Sequence, residues 1–405
     1  MSTQLKRPAD SYSPLYFLAS LGAGGLSVTF FMFLFFWVPH KGRPVPIFED
    51  VVAAFNAGYL PQQAAIVAAW IGIAVFAVLN LKYFFWNLSA LSAFQKTDAY
   101  EKLRNSNAET TLLAGPLAAA MTINGLFIVG LTFVPRLWTV VEYLFPLAMV
   151  AFGLVGIWAL RIIGDFLGRV LSKGGIFDVT AHNSFAQLLP AFALAMVAVG
   201  FAAPAAMSTN TVTVGAALVI STFFVMASLI YTVVAAVTAF SSMLHYGTHK
   251  EAGPTLMVIV PIVTILSIAF LRQDHGLHTT FEVHTTAGET MVFLARMIAV
   301  QVLFLMLGIT VLRRQGYFAD FVLGPKTSPG SYALVCPGVA FSVLMQFFIN
   351  KGLVAAGVIE KFGTAYWALT AIALVSQALM IVLVIRLNRQ HFGKPAAAAA
   401  AVPAE

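Results

Sequence analysis

The sequence predicts an all-α integral membrane protein: ten transmembrane helices as five helical hairpins, the odd helices forming an inner pore ring and the even helices an outer shell. Three observations lead there. The composition is too apolar for water, ten stretches are long enough to cross a bilayer, and helix breakers recur at one depth in alternate stretches.

Of 405 residues, 60% are hydrophobic and only 10% charged, with a mean hydropathy of +0.88. Soluble domains carry about 25% charged residues, so this chain lacks the polar side chains to cover itself. Thirty-five Phe and fourteen Met suit an exterior that meets hydrocarbon. The net charge of +7 does not point to nucleic acid, because the basic residues lie at the ends of apolar runs rather than on one face. A single cysteine, Cys336, excludes an internal disulfide. The first apolar run, 15–38, is longer than a signal-peptide core and lacks a small-residue cleavage site after it, so it is expected to remain as a span.

A helix needs about 20 mostly apolar residues to cross the bilayer core. Ten stretches qualify, at roughly 15–38, 63–88, 110–134, 138–163, 183–206, 211–239, 253–272, 290–312, 331–355 and 363–387. An even number puts both termini on one side. The termini and even-numbered loops hold fifteen Lys and Arg against six on the opposite side, which predicts cytoplasmic termini. The chain then divides into a cytoplasmic N-terminus at 1–14, a membrane domain at 15–390 and a disordered cytoplasmic tail at 391–405 with an alanine run. The connections 39–62 and 89–109 are short enough to be surface helices or loops. Residues 164–177 mix apolar and basic positions as an interfacial helix does.

Pro116, Pro190, Pro261 and Pro337 sit a few residues into spans 3, 5, 7 and 9, and Gly22, Gly24 and Gly25 take that depth in span 1. These positions are 94, 74, 71 and 76 residues apart, which suggests a hairpin repeated five times. Among even spans only span 4 has an internal proline, Pro146. Proline removes an N–H and crowds the carbonyl four residues back, here those of Leu112, Ala186, Met257 and Ala333. In hydrocarbon such a break is tolerated where protein or a water-filled cavity covers it. A lone kink is ordinarily packing, but five at one depth in alternate spans argue for an inner ring.

Three strings carry a resemblance: SPLYFLASLGAGGLS at 13–27, GPTLMVIVPIV at 253–263 and YALVCPGVAF at 332–341. With the ten-span plan they are similar to the tellurite-resistance and dicarboxylate transporter superfamily, which includes TehA-type proteins and plant guard-cell slow anion channels. The resemblance implies a homotrimer in the cell inner membrane. Each subunit would pass small anions through its own pore, gated by a bulky aromatic. The sequence departs from that pattern at the residue before the proline of span 9, which is Cys336 rather than phenylalanine. Within the superfamily the chain looks most like the TsoY-type branch, some of whose members are selenoproteins, and this hints at thiol chemistry at Cys336.

The candidate gate or substrate contacts are therefore Cys336, Phe341 (four residues beyond Pro337 on one helical face) and Asn124, with Phe192 and Phe30 as weaker gates. A buried free cysteine is more often a small hydrophobe than a reactive thiol. Ser20, Ser27 and Thr264 could donate hydrogen bonds to an anion, although such residues often only bridge neighbouring helices. No Lys or Arg lies near the middle of an odd span, so any anion site there would be loose. Lys82, Glu142, Asp165 and Arg296 fall on even spans as interfacial or subunit contacts. Asp274, His275, His278, Glu282 and His284 lie in an expected external loop, 272–290, whose spacing fits no zinc pattern. No metal or cofactor is expected, and no nucleic acid; the partners are a small anion, the bilayer and sister subunits.

Two functions compete. The first is a channel or transporter for small anions, with sulfur or chalcogen oxyanions as examples, through a central pore in each subunit. The second is a membrane redox, quinol-reactive or thiol-active module partnering another enzyme. The eight His sit at span ends or in loops, which leaves a haem without axial ligands. No phosphate-binding loop, dinucleotide fingerprint or nucleophile elbow is present, so catalysis of those kinds is not expected.

Overall fold

The computed structural model describes residues 9–173, 178, 180 and 183–393. Among them are ten helices long and apolar enough to cross a membrane, and no strand. They are span 1, Pro14–Trp37; span 2, Leu60–Phe94; span 3, Asn107–Phe133; span 4, Leu137–Lys173; and span 5, Phe185–Met207. Then follow span 6, Thr211–Tyr246; span 7, Lys250–Phe281; span 8, Ala287–Arg314; span 9, Pro329–Val354; and span 10, Thr364–Phe392. The two longest connections each carry a short helix, Phe48–Ala57 and Asp98–Arg104.

Several helices outrun their apolar stretch. The 35 residues of span 2 make a rod of roughly 52 Å at 1.5 Å per residue, well beyond the roughly 30 Å hydrocarbon core. Three expectations change for this reason. Residues 164–173 continue span 4 rather than forming a separate interfacial helix; 174–177 lie outside the described residues. Arg272, Asp274, His275 and His278 are helical, on the extension of span 7, and only 282–286 form a loop. His391 and Phe392, assigned to the tail by composition, belong to span 10, and His391 is buried beside Tyr16 and Tyr332. The rest of the tail, 394–405, and residues 1–8 lie outside the described residues.

Burial alternates along the chain. In the most apolar stretch of the odd spans 67% to 94% of residues are buried, against 17% to 33% in the even spans. Each odd span packs on the even span that follows it, and the odd spans touch in the order 1, 3, 5, 7, 9, with span 9 against span 1. Small side chains let these helices approach. A Cβ on Gly22 or Gly25 would lie 2.9 Å from Val335 and 2.8 Å from Val339, both on span 9, and one on Gly24 would lie 2.7 Å from Met121 of span 3. Buried polar groups tie odd to even spans, as apolar lipid gives helices little other reason to associate. Ser20 Oγ donates to Asn80 O at 2.9 Å, Ser228 Oγ to Ala191 O at 2.8 Å and Ser342 Oγ to Ala373 O at 2.8 Å.

The helix breakers act differently from the expected kink. Every odd span opens with a 3₁₀ segment: Pro14–Tyr16, Asn107–Leu113, Phe185–Leu188, Lys250–Met257 and Pro329–Leu334. The α-helix starts only afterwards, so Pro116, Pro190, Pro261 and Pro337 fall in its first turn. There no intrahelical N–H bond is lost. Two of the carbonyls expected to be free are taken up at this junction, Leu112 O by the Ala114 N–H and Ala186 O by the Leu189 N–H. In span 1 the helix runs unbroken through its glycines. Ser13, Ser106, Ser184 and Ser328 cap four of the 3₁₀ segments with their side chains.

The tightest helix crossing to a backbone atom is at Gly276, where an added Cβ would sit 2.2 Å from Ala205 O. Gly276→Ala is expected to destabilise the fold by about 1–3 kcal/mol, the usual cost of overpacking, seen as a lower unfolding temperature in detergent. Gly215→Ala, with nothing within 4 Å, should leave that temperature unchanged or higher; equal effects of the two would contradict the crossing.

Candidate functional site

A cavity of about 620 Å³ lies among the five odd spans. Its inner end is set by Gly22, Phe192, Pro261 and Cys336. Beyond that level the 3₁₀ segments fill the space with large buried side chains, including Tyr16, Leu113, Phe185, Leu256 and Tyr332. Its other end carries the exposed residues Asp274, His275 and His278. The cavity is therefore one-ended, with a mouth where the odd spans finish.

Side chains reach the wall by helical spacing. On span 7, Pro261, Thr264, Ile268, Arg272 and His275 follow one another at intervals of three or four and share a face. On span 9, Cys336, Val339, Val343, Phe347 and Lys351 do the same. The shaft is mostly apolar, with Asn124 and Thr264 as its polar side chains. Thr264 is already occupied: its hydroxyl lies 3.1 Å from Val260 O and 3.2 Å from Ala340 O, and it accepts from the amide of fully buried Gln301. It has no hydrogen to offer a ligand. Asn124 donates one amide hydrogen to Ala120 O at 3.1 Å, which leaves its second hydrogen and its carbonyl for the cavity.

The mouth is cationic. Arg272 Nη1 donates to Val199 O at 3.0 Å, and the ion pairs among the described residues involve neither Arg272 nor Lys351. Arg43 pairs with Asp50. Lys351 lies in a π-helical turn, Phe348–Val354, a feature frequent at functional sites. That turn is anchored because Trp37 Nε1 donates to Tyr366 Oη, which donates to Asn350 Oδ1, each at 3.0 Å. Burial holds the His40 imidazole below its ordinary range and the charges of Lys351 and Lys361 push the same way, against the Val38 carbonyl and Asp50. Lys361 is likewise held down, by burial and then by Lys351.

Of the residues singled out from sequence, Gly22, Gly25, Pro261, Cys336 and Asn124 line the cavity, as does Phe192. Gly24 faces Met121 and Asn80 instead. Pro116, Pro190, Pro337 and Phe341 are outside the lining, and Phe30 covers Gly72 of span 2. Ser20 and Ser27 are buried away from it. Glu142 binds the 208–209 turn, Asp165 pairs with Arg104, and Lys82 and Arg296 are exposed. His278 and His284 meet at 3.0 Å, but among the described residues no third ligand joins them.

Arg272, Lys351, His40 and Arg43 were not anticipated as wall residues, because charges at span ends serve topology in the first instance. The available signal was their register: Arg272 lies eleven residues after Pro261 and Lys351 fifteen after Cys336, close to three and four helical turns. A histidine titration by NMR is expected to place His40 below 6.5, so that it is neutral at pH 7 and adds positive charge to the mouth only in acid; a midpoint at or above that value would contradict its half-buried, cation-flanked position. No family model matches this chain, and no curated protein matches it.

Proposed function

We propose that the protein is a channel or transporter for small anions, with the cavity among the odd spans as its path. The five odd spans would form the pore ring of each subunit and the even spans the outer shell against lipid. The observation that carries this is the pair of cations at the mouth, Arg272 and Lys351, without a carboxylate partner above an otherwise apolar shaft. Unpaired cations at the entrance of a low-dielectric shaft focus the field there and raise the local concentration of anions. The bias of basic residues supports cytoplasmic termini, and with that orientation the mouth faces away from the cytoplasm. The resemblance to the tellurite-resistance and dicarboxylate transporter superfamily agrees with this reading and adds a homotrimer, which native mass spectrometry tests.

With its inner end closed, the path conducts only if that end opens. Phe192 is the aromatic side chain at that level, and it rather than Phe341 is the gate in this reading. Purified protein in liposomes is expected to pass anions from a panel of chloride, nitrate, sulfite and thiosulfate. Phe192→Ala should raise the rate, and Lys351→Gln should lower it by on the order of tenfold, the lower end of what charge focusing contributes. No flux of any anion from folded protein, with Phe192→Ala equally silent, would refute the proposal.

A thiol-active or redox module is the second reading, favoured by one observation: Cys336 lines the inner end of the cavity. Cys336→Ser separates the two. Unchanged anion flux leaves the thiol outside the transport function, whereas loss of a thiol-dependent activity with flux intact would support the second reading.

A further inference from the structure

The shaft leaves a small hydrated ion room to pass but gives it little to bind. Between Cys336 and the mouth its wall is built largely from Val, Ile, Leu, Met and Phe, and of its two polar side chains Thr264 has no free hydrogen. Asn124 alone would replace the water that a nitrate or sulfite sheds on entry, and burying a charge without such replacement is strongly unfavourable. The cations are all at one end. A one-ended, mainly apolar chamber of about 620 Å³ with its charged groups gathered at the mouth has the make-up of small-molecule pockets, which run from about 300 to 1,000 Å³. Along span 7, the rise from Pro261 to Arg272 is roughly 16 Å.

We infer that the cavity takes an amphipathic organic anion, its acidic head at Arg272 and Lys351 and its apolar body in the shaft toward Cys336. This rests on the reading of the cavity as an anion site and names the substrate class. The head is a carboxylate or a sulfonate, since both cations present N–H donors and neither is ion-paired among the described residues, the exposed Asp274 of the same mouth included. The body supplies by apolar contact what the shaft cannot supply by hydrogen bonding.

The test is calorimetric binding to the whole protein in zwitterionic nanodiscs, with empty nanodiscs as background. The probes are decanoate, butyrate, 2-naphthalenesulfonate, decanol and nitrate. Decanoate or naphthalenesulfonate is expected to bind on the order of tenfold or more tightly than butyrate, nitrate and decanol; which of the two is tighter tells a chain-shaped from a ring-shaped body. Lys351→Gln should weaken the acids by a similar factor and leave decanol unchanged, and Ile268→Trp, which narrows the shaft, should weaken both acids. Arg272→Gln adds a second charge test where it folds. Nitrate binding as tightly as decanoate, decanol binding as tightly as decanoate, or no effect of Lys351→Gln would overturn the inference. Nitrate flux without decanoate binding would sink this inference and keep the conduit; decanoate binding without flux of any anion would do the reverse.

Discussion

A chain in hydrocarbon must satisfy its backbone hydrogen bonds within its own helices, and the structure depends on how the odd spans meet that demand at their entry. Each starts as a 3₁₀ segment and converts to α-helix within a turn of its proline, or at Phe17 in span 1. Placed there, proline breaks no bond. The entry segments carry bulky buried residues such as Tyr16, Phe185 and Tyr332, while the α-helical parts beyond them carry the wall of the cavity. Closure at one end and space at the other are thus two results of one change of helix type.

The far end poses an electrostatic problem. All five odd spans finish near the mouth, and helix C-termini present carbonyl oxygens with partial negative charge. Such an end would repel an anion. Arg272 and Lys351 oppose that field with full charges and without a carboxylate partner among the ion pairs of the described residues. A unit charge outweighs the roughly half charge of one helix end; at His40 and Lys361 burial is the main cause of the depressed range, and the Lys351 charge adds to it.

Much of the fold was legible from hydropathy, because membrane-crossing length is a strong signal: all ten spans lie where expected. The alternation of buried and exposed spans was also legible, through the placement of Pro116, Pro190, Pro261 and Pro337. What those prolines do was not, since a proline in the first turn of a helix and one at a kink look the same in sequence. The serine caps at Ser13, Ser106, Ser184 and Ser328 were the missing clue. Of the residues picked from sequence, Cys336, Asn124 and Phe192 lie on the cavity wall, whereas Arg272 and Lys351 were hidden because hydropathy ends a span before its helix ends. Phe341 fell to the same ambiguity in reverse: a four-residue step from Pro337 fixes a face of the helix but not which neighbour that face meets.

The most direct test of the central geometry is side-specific labelling with a membrane-impermeant thiol reagent, in a Cys336→Ser background. Ile268→Cys, on the cavity wall, is predicted to react from the mouth side only, while Leu303→Cys, exposed on span 8, stays unreactive from both. Reaction of Leu303→Cys, or an Ile268→Cys that no reagent reaches from the mouth side, would contradict a water-filled cavity enclosed by the odd spans.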